Sequence, residues 1–460
     1  MIGIVGLAAF YGLAYLLSSN RRTVSWRLVA WGFSLQILFA LLILKWSLGR
    51  QLLQQIAAAV SKLLEFADKG SDFVFGPLAN PDSSFGLIFA FKVLPIVIFI
   101  SSLFSVLYYL GIMQRVVLLM ARMMHRLMGV SGSESLAAAA NVFMGQTEAP
   151  IIIAPYIPDM TESELMALMT GGMATVSGAV LASYIGLGVR AEYLLSASVM
   201  AAPASLVMAK LLIPETGQSK TAGRVSLKVE ATNINLIDAA ASGAAKGIKL
   251  ALNIGGMLVA FVALIYLIDG ILGAVGNAFA SLRGFLTLQA IGVGAIATYL
   301  LFWQSSQRTR KGVLAASIAA LLLFWTVFLA RGPAPISLGL RQILGITFAP
   351  VAFIMGVPWR ESATVGELFG IKLMLNEFVA YVELGKLLQH GALSAKGELI
   401  ASYALCGFAN FSSIGIQIGG IGPLAPSRRG DLARLGLRAL LGGMMASFTV
   451  ATLAGMLTEL

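Results

Sequence analysis

Apolar runs of about twenty residues recur along the chain, each long enough to cross the hydrocarbon core of a bilayer as a helix. They lie at 2–19, 25–46, 86–111, 164–189, 193–213, 244–271, 284–303, 312–330, 397–421 and 432–457. Polar positions gather between them, and the basic ones recur after every second span. Arg21, Arg22 and Arg27 follow the first, Arg115, Arg122 and Arg126 the third, and Lys220, Arg224 and Lys228 the fifth. Arg308, Arg310 and Lys311 follow the seventh, and Arg428, Arg429 and Arg434 the ninth. Basic residues concentrate in cytoplasmic loops, so these clusters, all on one side, predict both termini outside. Two segments depart from the pattern. Between Gln114 and Met128 apolar residues interleave with Arg115, Arg122, His125 and Arg126, as in a helix lying in the cytoplasmic interface. Gln51 to Ala67 reads as an amphipathic counterpart outside.

Composition supports the same class. Of 460 residues 58% are hydrophobic and 12% charged, against about a quarter charged in an ordinary soluble domain. Too few charges are present to wet a soluble surface, so the chain is expected to be a polytopic helical membrane protein. Its net charge of +11 sits in short clusters between apolar spans, which fits membrane topology better than nucleic-acid binding. Cys406 stands alone, which excludes a disulfide scaffold, and two histidines, His125 and His390, cannot build a His-rich metal centre. Met1 to Ser19 lacks a basic leading region and reads as a retained first helix rather than a cleaved signal.

The chain repeats itself. Met128-Gly129-Val130 precedes Glu134-Ser135, and Met355-Gly356-Val357 precedes Glu361-Ser362 with the same spacing. Each copy enters a stretch too broken by Gly, Asn and Pro for a plain span. The tips are Gly145-Gln146-Thr147-Glu148-Ala149-Pro150 and Asn376-Glu377-Phe378. Glu164-Leu165 and Glu398-Leu399 then open apolar helices with polar middles, Thr175, Ser177 and Gly178 in one and Asn410, Ser412 and Ser413 in the other. The span count between the copies points them in opposite directions. Inverted repeats with interrupted hydrophobic segments are characteristic of secondary transporters that bind substrate at the midplane.

Irregular backbone persists at membrane depth only where protein or a wet cavity surrounds it. At the tips Gln146, Thr147 and Glu148 offer an amide, a hydroxyl and a carboxylate, and Glu377, Asn410 and Ser413 offer a similar set. An uncharged ligand rich in donors and acceptors suits these groups; an anion facing two carboxylates does not. Intramembrane carboxylates are costly and mark function. Asn141, the Met144 carbonyl, Thr175 and the Val176 carbonyl form an oxygen set suited to a hard cation such as sodium, although Asn and Thr also join helices structurally. Lys92 lies close enough to the outer end to snorkel, and Lys372 could pair with Glu367.

The run Gly145 to Pro150, followed by Thr161 to Leu165 and Gly171-Gly172, resembles the concentrative nucleoside transporters. So do Asn376-Glu377-Phe378-Val379-Ala380-Tyr381 and Cys406-Gly407-Phe408-Ala409-Asn410-Phe411-Ser412-Ser413-Ile414. The resemblance implies a sodium- or proton-coupled nucleoside symporter, not an enzyme. The implied fold is all-α and polytopic, with two opposed re-entrant hairpins and a scaffold surrounding an elevator-type transport domain. It implies a homotrimer in the cell's inner membrane and no cofactor beyond sodium as coupling ion. By motif position Gln146, Thr147 and Glu148 would face the nucleobase with Val180 in apolar contact. Glu377, Asn410 and Ser413 would bind ribose, with Phe408 lining the pocket. Asn141, Met144, Thr175 and Val176 would hold sodium. The Gly145-Gln146 pair resembles that of members accepting both purine and pyrimidine nucleosides, such as uridine, cytidine and adenosine.

The expected organisation is N-terminal helices and outer amphipathic segment (1–70), scaffold helix and interfacial helix (86–128), first transport repeat (133–213), cytoplasmic linker (214–240) and scaffold helix (244–271). An inserted pair of spans (283–331), a departure from the family pattern, and an outer interfacial helix with the second transport repeat (339–460) complete it. Proton coupling through Glu148 or Glu377 is the nearer alternative. An intramembrane enzyme acting on a polar lipid or nucleoside is a distant one, lacking any recognisable nucleophile or metal cluster.

Overall fold

The computed structural model describes residues 2–80, 83–84, 88–223, 233–278 and 339–458. The inserted pair expected at 283–331 lies outside them. All regular structure among the described residues is helical. Six of these helices are long and apolar enough to cross a membrane, and a pair bent by 118° is a further candidate.

The chain opens with α1 (Ile2–Leu16), α2 (Trp26–Leu44) and α3 (Ser47–Phe75). Ser25 starts α2 by accepting the Leu28 N–H at 3.4 Å, a side-chain cap for one of the amides left over at a helix start. The amphipathic segment expected at 51–67 is the middle of the longer α3. The span expected at 86–111 begins as α4 (Phe89–Lys92) and continues as α5 (Leu94–Tyr109). Lys92 pairs with Asp68 of α3 at 2.9 Å. The interfacial helix α6 (Ile112–Met128) runs between Gly111 and Gly129, with φ of 73° and 71°. This left-handed conformation is cheap for glycine and strained for most other residues.

The first repeat is α7 (Gly132–Asn141), α8 (Ala149–Ile152), α9 (Glu162–Ala174), α10 (Gly178–Gly186) and α11 (Ala191–Leu212). The long α12 (Leu236–Ala278) follows. It begins before the expected 244 and so takes the last residues of the linker placed at 214–240. The second repeat is α13 (Leu340–Ile354), α14 (Trp359–Met374), α15 (Glu377–Gln389), α16 (Ala395–Leu405), α17 (Phe411–Ile421) and α18 (Arg429–Leu457). The spans expected at 164–189 and 397–421 are thus each two half-helices.

The sequence landmarks of the repeat have local structural causes. Gly356 takes φ 103° where Gly129 takes 71°, so both hairpins are entered through a left-handed glycine. Ser131 and Glu134 form a reciprocal capping box at the start of α7, and Thr161 and Glu164 form another at α9. Each box satisfies two orphan donors. Ser133 Oγ also donates to Glu164 at 3.2 Å, and Ser394 Oγ donates to Glu361 at 2.9 Å. In both halves, then, the hairpin base is tied to the start of the next broken helix.

Two compact units are distinguishable. One comprises Met1–Val262 with Leu344–Leu460, the other Ala263–Ile343. Within the smaller unit the Leu340 N–H donates to Asp269 at 2.5 Å. Both repeats belong to the larger unit. There α18 approaches α9 through small residues: a Cβ on Gly443 would stand 2.7 Å from the Met173 Cβ.

Beneath the first hairpin, Lys210 of α11 forms ion pairs with Glu134 and, at 3.2 Å, with Glu215. It also donates to Ser163 Oγ at 2.8 Å. Removing one partner of a buried ion pair leaves the other uncompensated, at a cost of about 3–5 kcal/mol. Lys210→Met is therefore expected to lower the thermal unfolding temperature in detergent markedly, whereas Lys386→Met, at the exposed pair with Glu383, should leave it nearly unchanged.

Candidate functional site

The two broken helices cross at their breaks. The first stops because Thr175 turns extended (φ −118°, ψ 169°), and Ser177 (φ −67°, ψ 148°) restarts it. The second stops at Cys406, passes through Gly407 at φ 131° and restarts at Asn410 (φ −147°, ψ 165°). Phe408 N–H donates to the Thr175 carbonyl at 3.2 Å. A Cβ on Gly407 would come within 2.8 Å of the Ala174 carbonyl oxygen, so glycine is needed for both conformation and proximity. Gly407→Ala is expected to lower the unfolding temperature and abolish the arrangement around the breaks, a backbone-strain cost of about 1–3 kcal/mol before the clash is counted.

Each hairpin tip docks at this crossing. In the first, α7 ends at Asn141 and the chain turns through 142–148, with the Glu148 carboxylate accepting the Gly145 N–H at 3.1 Å. Gly178 N–H holds the turn by donating to the Phe143 carbonyl at 2.9 Å, and Ser198 Oγ donates to the Val142 carbonyl at 2.9 Å. Gln146 is buried and its Nε2 donates to Ser413 Oγ on α17 at 3.0 Å, while its Oε1 has no partner. Room for it comes from Gly172, whose Cβ would fall 2.9 Å from the Gln146 Cβ. Thr147 packs against Gly420, where a Cβ would lie 2.6 Å from its methyl. Glu148 is exposed rather than buried, with its carboxylate closing its own turn. Val180 is buried, and Met144 and Phe408 are half-buried.

In the second hairpin Asn376 caps α15 by accepting the Val379 N–H at 2.9 Å. This places Glu377, 5% exposed, in the first turn of that helix, where a carboxylate is favoured by the helix dipole. Its Oε2 accepts from Asn410 Nδ2 at 2.8 Å and its Oε1 from the Tyr184 hydroxyl at 3.3 Å. Asn410 caps α17, its Oδ1 accepting from Ser413 N–H at 2.8 Å and Ser412 Oγ at 2.7 Å. The groups from the two tips therefore converge on one strip of backbone, with Ser413 bridging them.

Asn141 stands out. It is 1% exposed and neither amide atom has a hydrogen-bond partner. A buried orphan of this kind costs about 1–3 kcal/mol. It faces the end of α9: a Cβ on Gly171 would lie 3.1 Å from its Nδ2. Thr175 Oγ1 donates to the Gly171 carbonyl at 2.8 Å, which leaves the hydroxyl lone pairs as acceptors. Asn141 Oδ1 and Thr175 Oγ1 are the atoms that suit a cation held by neutral oxygens.

Some neighbours lacked a sequence signal. Gln417 Nε2 donates to the Met169 carbonyl at 2.9 Å, stitching α17 to α9. Tyr184 follows Val180 by one helical turn, a spacing that could have identified it; its ring stacks on Tyr381 with centroids 4.0 Å apart. Lys372 donates to the Ala404 carbonyl at 2.8 Å, a contact the expected pairing with Glu367 did not anticipate.

The comparisons with known proteins agree with this geometry. Family models described as "Na+ dependent nucleoside transporter" match residues 5–78 for the N-terminus and residues 193–330 and 312–455 for the C-terminus. A model described as "Nucleoside recognition" matches residues 90–190. An uncharacterised transporter of Haemophilus influenzae is 42% identical over 457 residues, covering 98% of this chain and 96% of that one. Sodium/nucleoside cotransporter 1 of Mus musculus is 37% identical over 471 residues, covering 99% of this chain and 64% of that protein. The solved structure of the transporter CNTnw in an inward-facing substrate-bound state is similar with a TM-score of 0.83 at 38% identity, covering 100% of this chain and 98% of that one. A double variant of CNTnw in an outward-facing state gives a TM-score of 0.84. This multi-pass membrane protein is thus a transporter rather than an enzyme, and it belongs to the family of sodium-dependent, concentrative nucleoside transporters.

Proposed function

We propose that the protein is a symporter that imports purine and pyrimidine nucleosides, among them uridine, cytidine and adenosine, down an inward sodium gradient. The observation that carries this reading is the convergence of Gln146 on Ser413 beside the Asn410–Glu377 pair. An array of neutral donors and acceptors with one buried carboxylate suits a polyhydroxylated, uncharged solute. On this reading Gln146, Thr147 and Glu148 face the base, with Val180 in apolar contact. Glu377, Asn410 and Ser413 bind the ribose hydroxyls, and Phe408 lines the pocket.

Sodium is held by the Asn141 and Thr175 side chains with the Met144 and Val176 carbonyls. It engages the unpartnered Asn141 Oδ1 and so stiffens the tip that presents Gln146. Coupling then follows from differential affinity, since substrate binds the sodium-loaded tip better. Each sodium ion entering down the membrane potential contributes about 2.3 kcal/mol per 100 mV, which supports roughly fiftyfold accumulation from voltage alone.

The protein resides as a homotrimer in the inner membrane, with both termini outside and the linker that begins at Pro214 in the cytoplasm. Competition against radiolabelled uridine uptake tests the substrate class. Unlabelled cytidine and adenosine should compete, and uracil and uridine monophosphate should not. Equal competition by uracil would remove the ribose assignment, and competition by the nucleotide would contradict the exclusion of anions.

A further inference from the structure

We propose that Lys372 is a built-in cation whose ammonium occupies, in the second repeat, the position that the first repeat offers to a free ion. The inference rests on the sodium reading of Asn141 and extends it. In the first half that position lies between the last residue of the inner hairpin arm, Asn141, and the last turn of α9. The carbonyl there is that of Gly171, bonded by Thr175 Oγ1. In the second half Lys372 stands in the last turn of the corresponding arm, α14, against the last turn of α16.

The Ala404 carbonyl that Lys372 meets at 2.8 Å lacks its helical donor. The Phe408 N–H, four residues on, is turned to the Thr175 carbonyl instead. Both positions therefore sit at the carbonyl end of an interrupted helix, where the dipole favours positive charge.

A neutral donor could satisfy one carbonyl, so the charge requires its own explanation. Lys372 is fully buried, and a buried ammonium must be matched by an opposite charge. The buried carboxylate of the same hairpin is Glu377, five residues on in the first turn of α15. The groups bonded to that carboxylate, Asn410 and Tyr184, are neutral. The first half has the reverse arrangement, because its tip carboxylate, Glu148, is exposed and its arm carries the unpartnered Asn141. One repeat brings its cation with it and the other must recruit one. The consequence is a single sodium ion per nucleoside, coupled through the first hairpin alone.

The test uses purified full-length protein. In proteoliposomes the wild type should move one sodium ion per uridine, read as the ratio of radiolabelled sodium to uridine fluxes, and a ratio of two would overturn the proposal. In detergent, sodium should raise the wild-type unfolding temperature relative to choline, and Asn141→Leu should abolish that shift. Persistence of the shift in Asn141→Leu alone would sink the sodium reading of Asn141 and, with it, this proposal.

In the double variant Asn141→Leu, Lys372→Ser the vacated position retains the Ala404 carbonyl, an oxygen that suits a hard cation. The proposal expects the sodium-dependent shift to return there. A folded double variant with equal unfolding temperatures in sodium and choline would assign Lys372 a purely structural clamp and overturn the proposal. If the double variant does not fold, the wild-type flux ratio still decides.

Discussion

Glu377→Gln is expected to abolish uridine uptake and to weaken uridine binding at least a hundredfold, while the protein still folds. The carboxylate is bonded to Asn410 Nδ2 and the Tyr184 hydroxyl, and Asn410 in turn positions Ser412 and Ser413 through its Oδ1. Replacing it by an amide keeps its shape but removes the charge-assisted acceptors, each worth about 1.5–3 kcal/mol. It also sets an amide nitrogen against Asn410 Nδ2 or Tyr184. Two such losses correspond to a factor of a hundred or more in affinity. Uridine binding to the detergent-solubilised variant measures the first effect, and sodium-dependent thermal unfolding separates it from misfolding. Retained sodium stabilisation with lost uridine binding is the expected pair of results. Normal uridine affinity in the variant would show that the ribose assignment is wrong.

Asn141→Leu should do the opposite to stability. Its amide is buried with both polar atoms unpartnered, so an apolar side chain of similar size relieves about 1–3 kcal/mol of desolvation cost. In sodium-free buffer the variant is therefore expected to unfold at a temperature equal to or above that of the wild type. Sodium should no longer raise it, and uridine binding should lose its dependence on sodium. An amide serving only to join helices would give a different outcome, namely a less stable variant in every buffer with sodium dependence intact.

Much of this architecture is legible in the sequence because it follows from chain-local physics. Hydropathy marks the spans, since about twenty apolar residues cross a bilayer. Gly129 and Gly356 recur because both hairpins are entered through left-handed backbone, and within the first half Glu134 and Glu164 each close a capping box. The breaks were harder to place. Thr175 and Val176 suit an apolar span, and nothing in their periodicity says that the helix ladder stops there. The interruption is set by tertiary contacts, the Phe408 N–H on the Thr175 carbonyl and the Gly178 N–H on the Phe143 carbonyl.

The same holds for charge. Lys92 and Asp68 are brought together by the packing of α3 on α5, and Lys372 finds a carbonyl 32 positions away rather than a carboxylate one turn back. Glu148 and Glu377 are similar as isolated letters. One is exposed and closes its own turn, whereas the other is buried under Asn410 and Tyr184, a difference that only the folded chain decides.

The most direct measurement is accumulation of radiolabelled uridine in proteoliposomes with and without an inward sodium gradient, at one fixed pH. Sodium-dependent accumulation above the external concentration, absent when choline replaces sodium, is the expected result. Uptake that ignores sodium and follows an imposed proton gradient would transfer the coupling role from Asn141 and Thr175 to a carboxylate. No uptake of uridine, cytidine or adenosine under either gradient would contradict the account of the site itself.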